Sequence, residues 1–335
     1  MWILVVPYFI IFLFITSGIL FVFRKKIIGV LALSLAIGVN VCTQTIPFHP
    51  RSLTKHGDDD FIKVMTWNIN SSEIAQDDTL VWKGIIDIIE NESPDIISLQ
   101  EVYKSHSGLL TAFLEENFPH CGKMIRWGDN VIYSKYPVGP VELLKIDTVG
   151  VKKPGTKEWW LNEAKLKNPG VLVNNERLLM TTAVYIDGQI INLINCHLAS
   201  NNFDIEQRSK SKERSWMERI PSYLKNISSA SQQRMAEAIA TKEQLEDSEN
   251  PSLVCGDMND LSGSKVLNII QSGCGLKDAW WTGGSGLGFT YHGHKVMHFR
   301  LDHILYSKGV NLQRVWVIKQ HFSDHQPLVA TFSLE

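Results

Sequence analysis

Hydrophobic and polar positions divide the chain into two regions with different rhythms. From Trp2 to Phe23 no side chain is charged, and from Ile27 to Ile46 none is either. Each run has about the 20 residues that cross a bilayer core as a helix. Only Arg24-Lys25-Lys26 stands between them, enough for a tight turn. The pattern predicts a transmembrane helical hairpin over residues 1–47. A cleaved signal peptide would carry a basic stretch ahead of its apolar run, and here only the α-amino group precedes it. Residues 48–60, with Pro50 and the run Asp58-Asp59-Asp60, read as a polar linker.

Beyond the linker the rhythm becomes that of strands broken by helices. Phe61–Trp67 alternates and is β-rich. Leu80–Glu90 sets Val81, Ile85, Ile88 and Ile89 at helical spacing; Pro94-Asp95 stops it, and Ile96–Leu99 is a short buried-type strand. Val131–Tyr133 is a strand before the turn at Ser134–Pro137. Leu178–Ile186 and Gln189–Cys196 flank Asp187-Gly188, a pair suited to a two-residue type I′ turn because both central residues need positive φ. Ser228–Leu245 reads as an amphipathic helix, and further strands fall at Leu253–Cys255, Leu301–Tyr306 and Leu328–Phe332. Hairpins alternating with occasional helices predict an α+β domain over 61–335. Its expected form is a four-layer sandwich of two face-to-face mixed or antiparallel β-sheets flanked by helices.

Charge bears on orientation and on the range of partners. Basic residues flanking a span favour the cytoplasmic side, so the Arg24–Lys26 turn points the N-terminus and everything after Ile46 outward. Arg51 and Lys55, just behind the second run, weaken that contrast. The expectation is an integral membrane protein with two spans and an extracytoplasmic catalytic domain. A net charge of −2 provides no global basic field for a nucleic acid. The five cysteines, Cys42, Cys121, Cys196, Cys255 and Cys274, show no metal-finger spacing and do not identify a compartment. No glycine-rich phosphate loop is present.

The polar residues at strand ends are of one chemical kind. Asn68 closes the first strand, Glu101 follows the second, and His197 ends the return strand of the hairpin. Asp257 and Asn259 follow Leu253–Cys255. Asp302 interrupts an apolar strand, and Asp324-His325 precedes the last one. Carboxylates and amides are hard oxygen donors, which suit Mg²⁺ or Mn²⁺ rather than zinc or copper. A carboxylate beside an imidazole orients it and holds it charged. Singly, each residue has an ordinary structural reading: Asn68 as a turn cap, Glu101 as a surface carboxylate, Asp257-Met-Asn259-Asp260 as a polar loop.

Together they carry a resemblance. Met65-Thr-Trp-Asn-Ile69, Pro94-Asp-Ile-Ile-Ser-Leu-Gln-Glu-Val102, Val131-Ile-Tyr-Ser-Lys-Tyr-Pro137, Ile194-Asn-Cys-His-Leu198, Gly256-Asp-Met-Asn259, Arg300-Leu-Asp-His-Ile-Leu-Tyr306 and Ser323-Asp-His-Gln-Pro327 stand in the order found in the endonuclease/exonuclease/phosphatase superfamily. The chain from Ile62 onward resembles that superfamily; the N-terminal segments do not. The resemblance implies a metal site of Asn68 and Glu101 with Asp324 at its edge. It also implies that Asp257 positions or deprotonates the attacking water and that Asn259 hydrogen-bonds the phosphate or nucleophile. His325 paired with Asp302 would be the cation facing the phosphoryl oxygens, His197 a second catalytic histidine and Arg177 a phosphate contact.

The implied activity is Mg²⁺- or Mn²⁺-dependent hydrolysis of a phosphate ester, first as a phosphodiesterase or nuclease. The alternatives are a membrane-lipid or inositol phosphate hydrolase, or a non-catalytic binding module, against which the intact residue set counts heavily. The implied partners are a nucleic acid or phospholipid substrate and the membrane; no protein partner is expected. After Trp67-Asn68 there is no Gly-Leu-Arg, which weakens an abasic endonuclease reading. Asp260 stands where inositol 5-phosphatases carry an aromatic residue and Arg. Trp159-Trp160 is similar to the membrane-dipping aromatics of bacterial sphingomyelinases, though adjacent tryptophans are more often packing residues. The basic stretch Arg208–Lys225, with Trp216 and Tyr223, suits a nucleic-acid strand or an anionic lipid surface and equally a solvated helical insertion.

Overall fold

The computed structural model describes residues 2–43, 45–47, 49, 61–75, 77–102, 107–123, 130–143, 179–200, 216–293 and 298–335. Two helices open the chain, α1 (Trp2–Val22) and α2 (Lys26–Thr43). They pack together, with Ser17 Oγ donating to Gly29 O at 2.9 Å, and Arg24 turns between them with a φ of 57°. Among the described residues only α2 is long and apolar enough to cross a membrane, and Val6–Val22 is a shorter apolar helix. The expectation of two spans is thus not supported, nor is the extracytoplasmic placement built on it. The described apolar stretch of α1, Val6–Val22, falls short of the about 20 residues that cross a bilayer core, and its Tyr8 hydroxyl donates to His298 O of the following domain at 2.8 Å.

The domain is built on two six-stranded sheets. One runs in the order β11 (Val310–Val317), β12 (Leu328–Leu334), β1 (Ile62–Asn68), β2 (Ile96–Gln100), β4 (Val131–Ser134), β3 (His120–Lys123). The other runs β5 (Glu142–Leu143), β6 (Leu179–Ile186), β7 (Gln189–His197), β8 (Ser252–Asp257), β10 (Asp302–Tyr306), β9 (Lys277–Asp278). Each sheet is mixed, with a parallel pair near its centre: β1 with β2, and β7 with β8. A parallel pair brings both carboxyl ends to one edge of its sheet, and ligands of mixed sheets collect outside such ends.

Strand periodicity explains the layers. Successive side chains point to opposite faces, so Ile62 and Val64 of β1 meet Ile191 and Leu193 of β7 between the sheets. Met65 and Trp67 instead face Trp82, Ile85 and Ile89 of α3 (Thr79–Glu92) and Leu110 and Leu114 of α4 (Gly108–Asn117). On the far side, Ile194 and Cys196 lie under Ala238 of α5 (Trp216–Glu246) and Val266, Leu267 and Ile270 of α6 (Lys265–Ser272). One polar group crosses the middle. Buried Asn195 donates to Leu99 O and Val131 O and accepts from Gln100 Nε2 at 2.8 Å, tying the two parallel pairs together.

Local expectations compare closely. Asp187 and Gly188 have φ of 48° and 83°, which is the twist that the β6–β7 turn needs. The first helix extends to Thr79–Glu92, started by the Asp78 side chain accepting from Val81 N and ended by Ser93 in the left-handed region. The hydrophobic rhythm does not reveal α6, only 8 residues long, or β11, whose alternation is broken by an irregularity between Leu312 and Arg314. Gly256 lies where β8 runs beside β7. Its φ is 136°, and a Cβ there would lie 1.9 Å from Cys196 O, so only glycine lets the two backbones approach.

Candidate active site

The carboxyl ends of the two parallel pairs face each other across one edge of the sandwich. Asn68 closes β1, with Gln100 and then Glu101 beside it in register; His197 closes β7 opposite Asp257 of β8. Asp302 opens β10 against Asp257. The chain entering β12 supplies Asp324 and His325. Asn68, His197, Asp257, Asp302 and His325 are all buried.

Hydrogen bonds and close charge contacts join them. Asn68 Nδ2 donates to Glu101 Oε1 at 3.1 Å and to Asp257 Oδ2 at 3.0 Å. Asp257 Oδ1 accepts from Asn259 N at 2.9 Å. His325 Nε2 lies 3.7 Å from Asp257 Oδ2, and its Nδ1 is 2.8 Å from Asp302 Oδ2. His197 Nε2 stands 3.5 Å from Glu101 Oε1 and 4.0 Å from Asp257 Oδ2. The eight described candidates therefore gather at one place, with Asn259 and Asp324 at its rim; the Asn259 amide donates to Leu198 O. Arg177, Trp159 and Trp160 lie outside the described residues, as does most of the basic stretch.

Burial and charge set the protonation states. Burial alone would lower the His325 imidazole, but the charges of Asp302 and Asp257 outweigh it and push the group up to about 10. Burial raises Asp257, opposed by the charges of His325 and His197. Burial also raises Glu101, aided by the neighbouring charges of Asp324 and Glu73. A general base beside a charged imidazole is the pairing that moves a proton while stabilising negative charge.

Sequence reasoning missed the supports. Asn70 donates to Asp324 Oδ1 at 3.0 Å, and its backbone N donates to Asn68 Oδ1. Ser323 Oγ donates to Asn68 O and accepts from His325 N. The Tyr291 ring lies 4.9 Å from that of His325. Glu101, Asn70 and Asn259 all have left-handed backbones, with φ of 54°, 49° and 49°. Asparagine tolerates this conformation; Glu101 is held in it by Ser71, whose N and Oγ both donate to its carbonyl. The repeat Asn68-Ile-Asn70 after a strand was the one available signal.

Among the described residues, one group of side chains brings its donor atoms close enough together to surround a cation. Asp257, Asp302 and His325 each place one such atom within 4.8 Å of the others. With its two nitrogens facing two carboxylates, that trio fits a protonated imidazole better than a metal ion, which would have to displace the proton. Glu101 and Asp324 offer oxygen alone, and the charge of Asp324 adds to the burial that raises Glu101. A hard divalent cation fits there and would relieve that repulsion.

Solved structures share the architecture at low identity. D. rerio TDP2 complexed with a single strand DNA product is 16% identical with a TM-score of 0.54, over 82% of this chain and 99% of that one. The human Nocturnin catalytic domain with bound sulfate anion is 18% identical with a TM-score of 0.55, over 86% and 100%. An endonuclease/exonuclease/phosphatase from Bacteroides vulgatus is 19% identical with a TM-score of 0.54, over 82% and 99%. At such identities the likeness is one of fold. A search of curated proteins gives no significant match. The sequence model of the endonuclease/exonuclease/phosphatase family matches residues 65–325, from within β1 to His325 itself, and the chain belongs to that family.

Proposed function

We propose that the chain is a Mg²⁺- or Mn²⁺-dependent phosphodiesterase of the nuclease type. The observation that carries this reading is buried Asp257, fixed by Asn68 and Asn259 and flanked by His325 and His197. Glu101 holds the cation, with Asn68 and Asp324 beside it. When bound, the cation neutralises charge on the phosphoryl oxygens. Asp257 orients a water and accepts its proton as the water oxygen attacks phosphorus, the P–O bond to the leaving alcohol breaks, and the departing oxygen takes a proton from solvent. His325, charged and oriented by Asp302, donates to the phosphoryl oxygens as their negative charge grows. His197 assists from the other flank, Asn259 contacts the phosphate or nucleophile, and Arg177 contacts substrate phosphate. The DNA product held by the TDP2 structure favours nucleic acid as the first substrate class.

Hydrolysis of plasmid DNA, RNA, sphingomyelin and phosphoinositides by the purified chain tests this reading. Activity is expected to vanish with EDTA and return with added Mg²⁺. Glu101→Ala should lose most metal affinity; undiminished hydrolysis by that variant in metal-free buffer sinks the assignment. A lipid substrate as the only one turned over would instead support the second reading, hydrolysis of a phospholipid or inositol phosphate. The N-terminal helices motivate that alternative.

The same proposal includes a membrane tether, with residues 1–47 as the helical anchor, 48–60 as linker and 61–335 as the catalytic domain. Its support is apolar surface: Phe12, Ile15, Val22, Ile27 and Leu31 are all more than half exposed, an excess that water does not favour. The chain should stay in the membrane pellet through an alkaline carbonate wash. A reporter fused after Glu335 should report export if the Arg24–Lys26 turn is cytoplasmic. Release by carbonate would exclude the anchor, and a cytoplasmic reporter signal would reverse the orientation.

A further inference from the structure

The segment joining α7 (Ala279–Gly283) to β10 folds back on itself beside the site. Tyr291 N donates to Phe299 O at 2.7 Å and Phe299 N to Tyr291 O at 3.0 Å, so residues 289–293 and 298–299 form the two sides of a short ribbon. Three members of the site rest on it. His292 N donates to Asp324 O at 2.7 Å, and Tyr291 pairs with His325 along the backbone while its ring covers the imidazole. Thr290 Oγ1 accepts from Asp302 N at 3.0 Å. Asp302 and His325 each take part of their support from this ribbon.

The ribbon is clamped in turn by α1, far away in sequence. The Tyr8 hydroxyl donates to His298 O at 2.8 Å and accepts from His298 N at 2.5 Å, satisfying both backbone groups of one ribbon residue. Its ring stacks on Phe289 at 6.3 Å and meets Phe299 edge-on at 6.4 Å. An aromatic side chain with one polar tip suits the level of a bilayer where apolar and wet surroundings meet. A hydroxyl with no role in folding the hairpin itself thus spends both of its hydrogen bonds on the wall of the site.

Resting on the phosphodiesterase reading above, we infer that Tyr8 is a positioning residue: through the ribbon of residues 289–293 and 298–299, the amino-terminal helix sets the Asp302–His325 pair. Docking of the hairpin is then part of building a competent site, and not only a means of attachment. The experiment uses the full chain in detergent micelles with Mg²⁺ and bis(p-nitrophenyl) phosphate or the best panel substrate. Tyr8→Phe keeps the ring and removes the hydroxyl, so kcat should fall about fivefold, the weight of one or two hydrogen bonds, with KM within about twofold. In a His325→Ala background the same change should have no further effect, because the residue it positions is gone. Phe14→Ala, six residues on from Tyr8 and so on another face of the same helix, should match the wild type.

Amide hydrogen exchange reads the clamp without reference to turnover. Tyr8→Phe should speed exchange at residues 289–293 and 324–326 and leave β6 and β7 unchanged. Unaltered exchange there overturns the inference, as does a Tyr8→Phe loss of equal size with and without His325. Failure of the wild type to hydrolyse any phosphate ester would instead overturn the preceding reading, and exchange would still decide whether Tyr8 holds the ribbon.

Discussion

His325→Ala should lower turnover on any substrate that the enzyme accepts by about 10²–10³-fold, the usual loss for one preorganised donor to a developing charge. KM should change little, because the imidazole's interaction grows as charge accumulates in the transition state. Asp302→Ala should be severe too. The two groups share a 2.8 Å contact, so the double variant should be little worse than His325→Ala. Asp302→Asn adds a pH signature. In the wild type the imidazole is raised to about 10, so the working protonated form persists through neutral pH and is lost as pH climbs through that value. Without the Asp302 charge the alkaline limb should move down toward the ordinary imidazole pKa of about 6.5. Initial rates across pH for the three variants, each checked for folding, decide the matter. Multiplicative losses, or an alkaline limb that stays put in Asp302→Asn, would end the case for a coupled pair.

The second large effect is on stability and lies away from the chemistry. Asp278 is 4% exposed and serves several groups at once. Arg300 Nη1 donates to it at 2.9 Å, His303 Nδ1 is 3.3 Å away, Ser262 Oγ donates at 3.1 Å, and the backbone N of Trp280 and Trp281 are capped by it. Burial would raise its carboxyl, but the Arg300 and His303 charges and bonds outweigh burial and hold it well below the usual carboxylate range. Asp278→Ala should destabilise the fold by about 3–5 kcal/mol, since it strands a buried guanidinium. Asp278→Leu with Arg300→Met should cost less than Asp278→Ala alone. The sign for pH follows from the lowered value: the contribution is present above about pH 4, the unfolded carboxylate pKa, and is lost as pH falls below it. Urea denaturation midpoints at neutral and acid pH read all of this. A drop for Asp278→Ala of under about 1 kcal/mol would contradict a structural ion pair.

Those two networks mark where the sequence could and could not be read. Arg300-Leu-Asp-His303 looked like one motif, yet alternation along a strand sends Asp302 to His325 and His303 the other way, to Asp278 and to Asp260 O at 3.0 Å. Strand-end polar residues were legible only as a set in the superfamily's order, since singly each has an ordinary structural reading. Asp187-Gly188 was legible because its turn chemistry is local. The amphipathic reading of α5 missed that Arg234 and Glu237 point inward, where they take the carbonyl and amide of Ala199 just after His197. The ribbon and its Tyr8 clamp were invisible, since partners 290 residues apart leave no periodic trace. The N-terminal helices illustrate the opposite error: composition suggested two equivalent spans, and among the described residues only α2 has the length and apolarity for one.

The pairing of β1 with β12 has a consequence for how the enzyme is made. Trp67 at the end of β1 donates its indole N–H to His325 O, a partner 258 residues later in the chain. At about 5–20 residues per second on the ribosome, β1 emerges roughly 10–50 s before the strand that closes its antiparallel edge. Asn68 and Glu101 exist throughout that interval, but the Asp302–His325 pair does not, so no nascent chain carries a complete site. The site is therefore completed in one step, when the strand that follows His325 pairs with β1, long after the residues of its first half have been made.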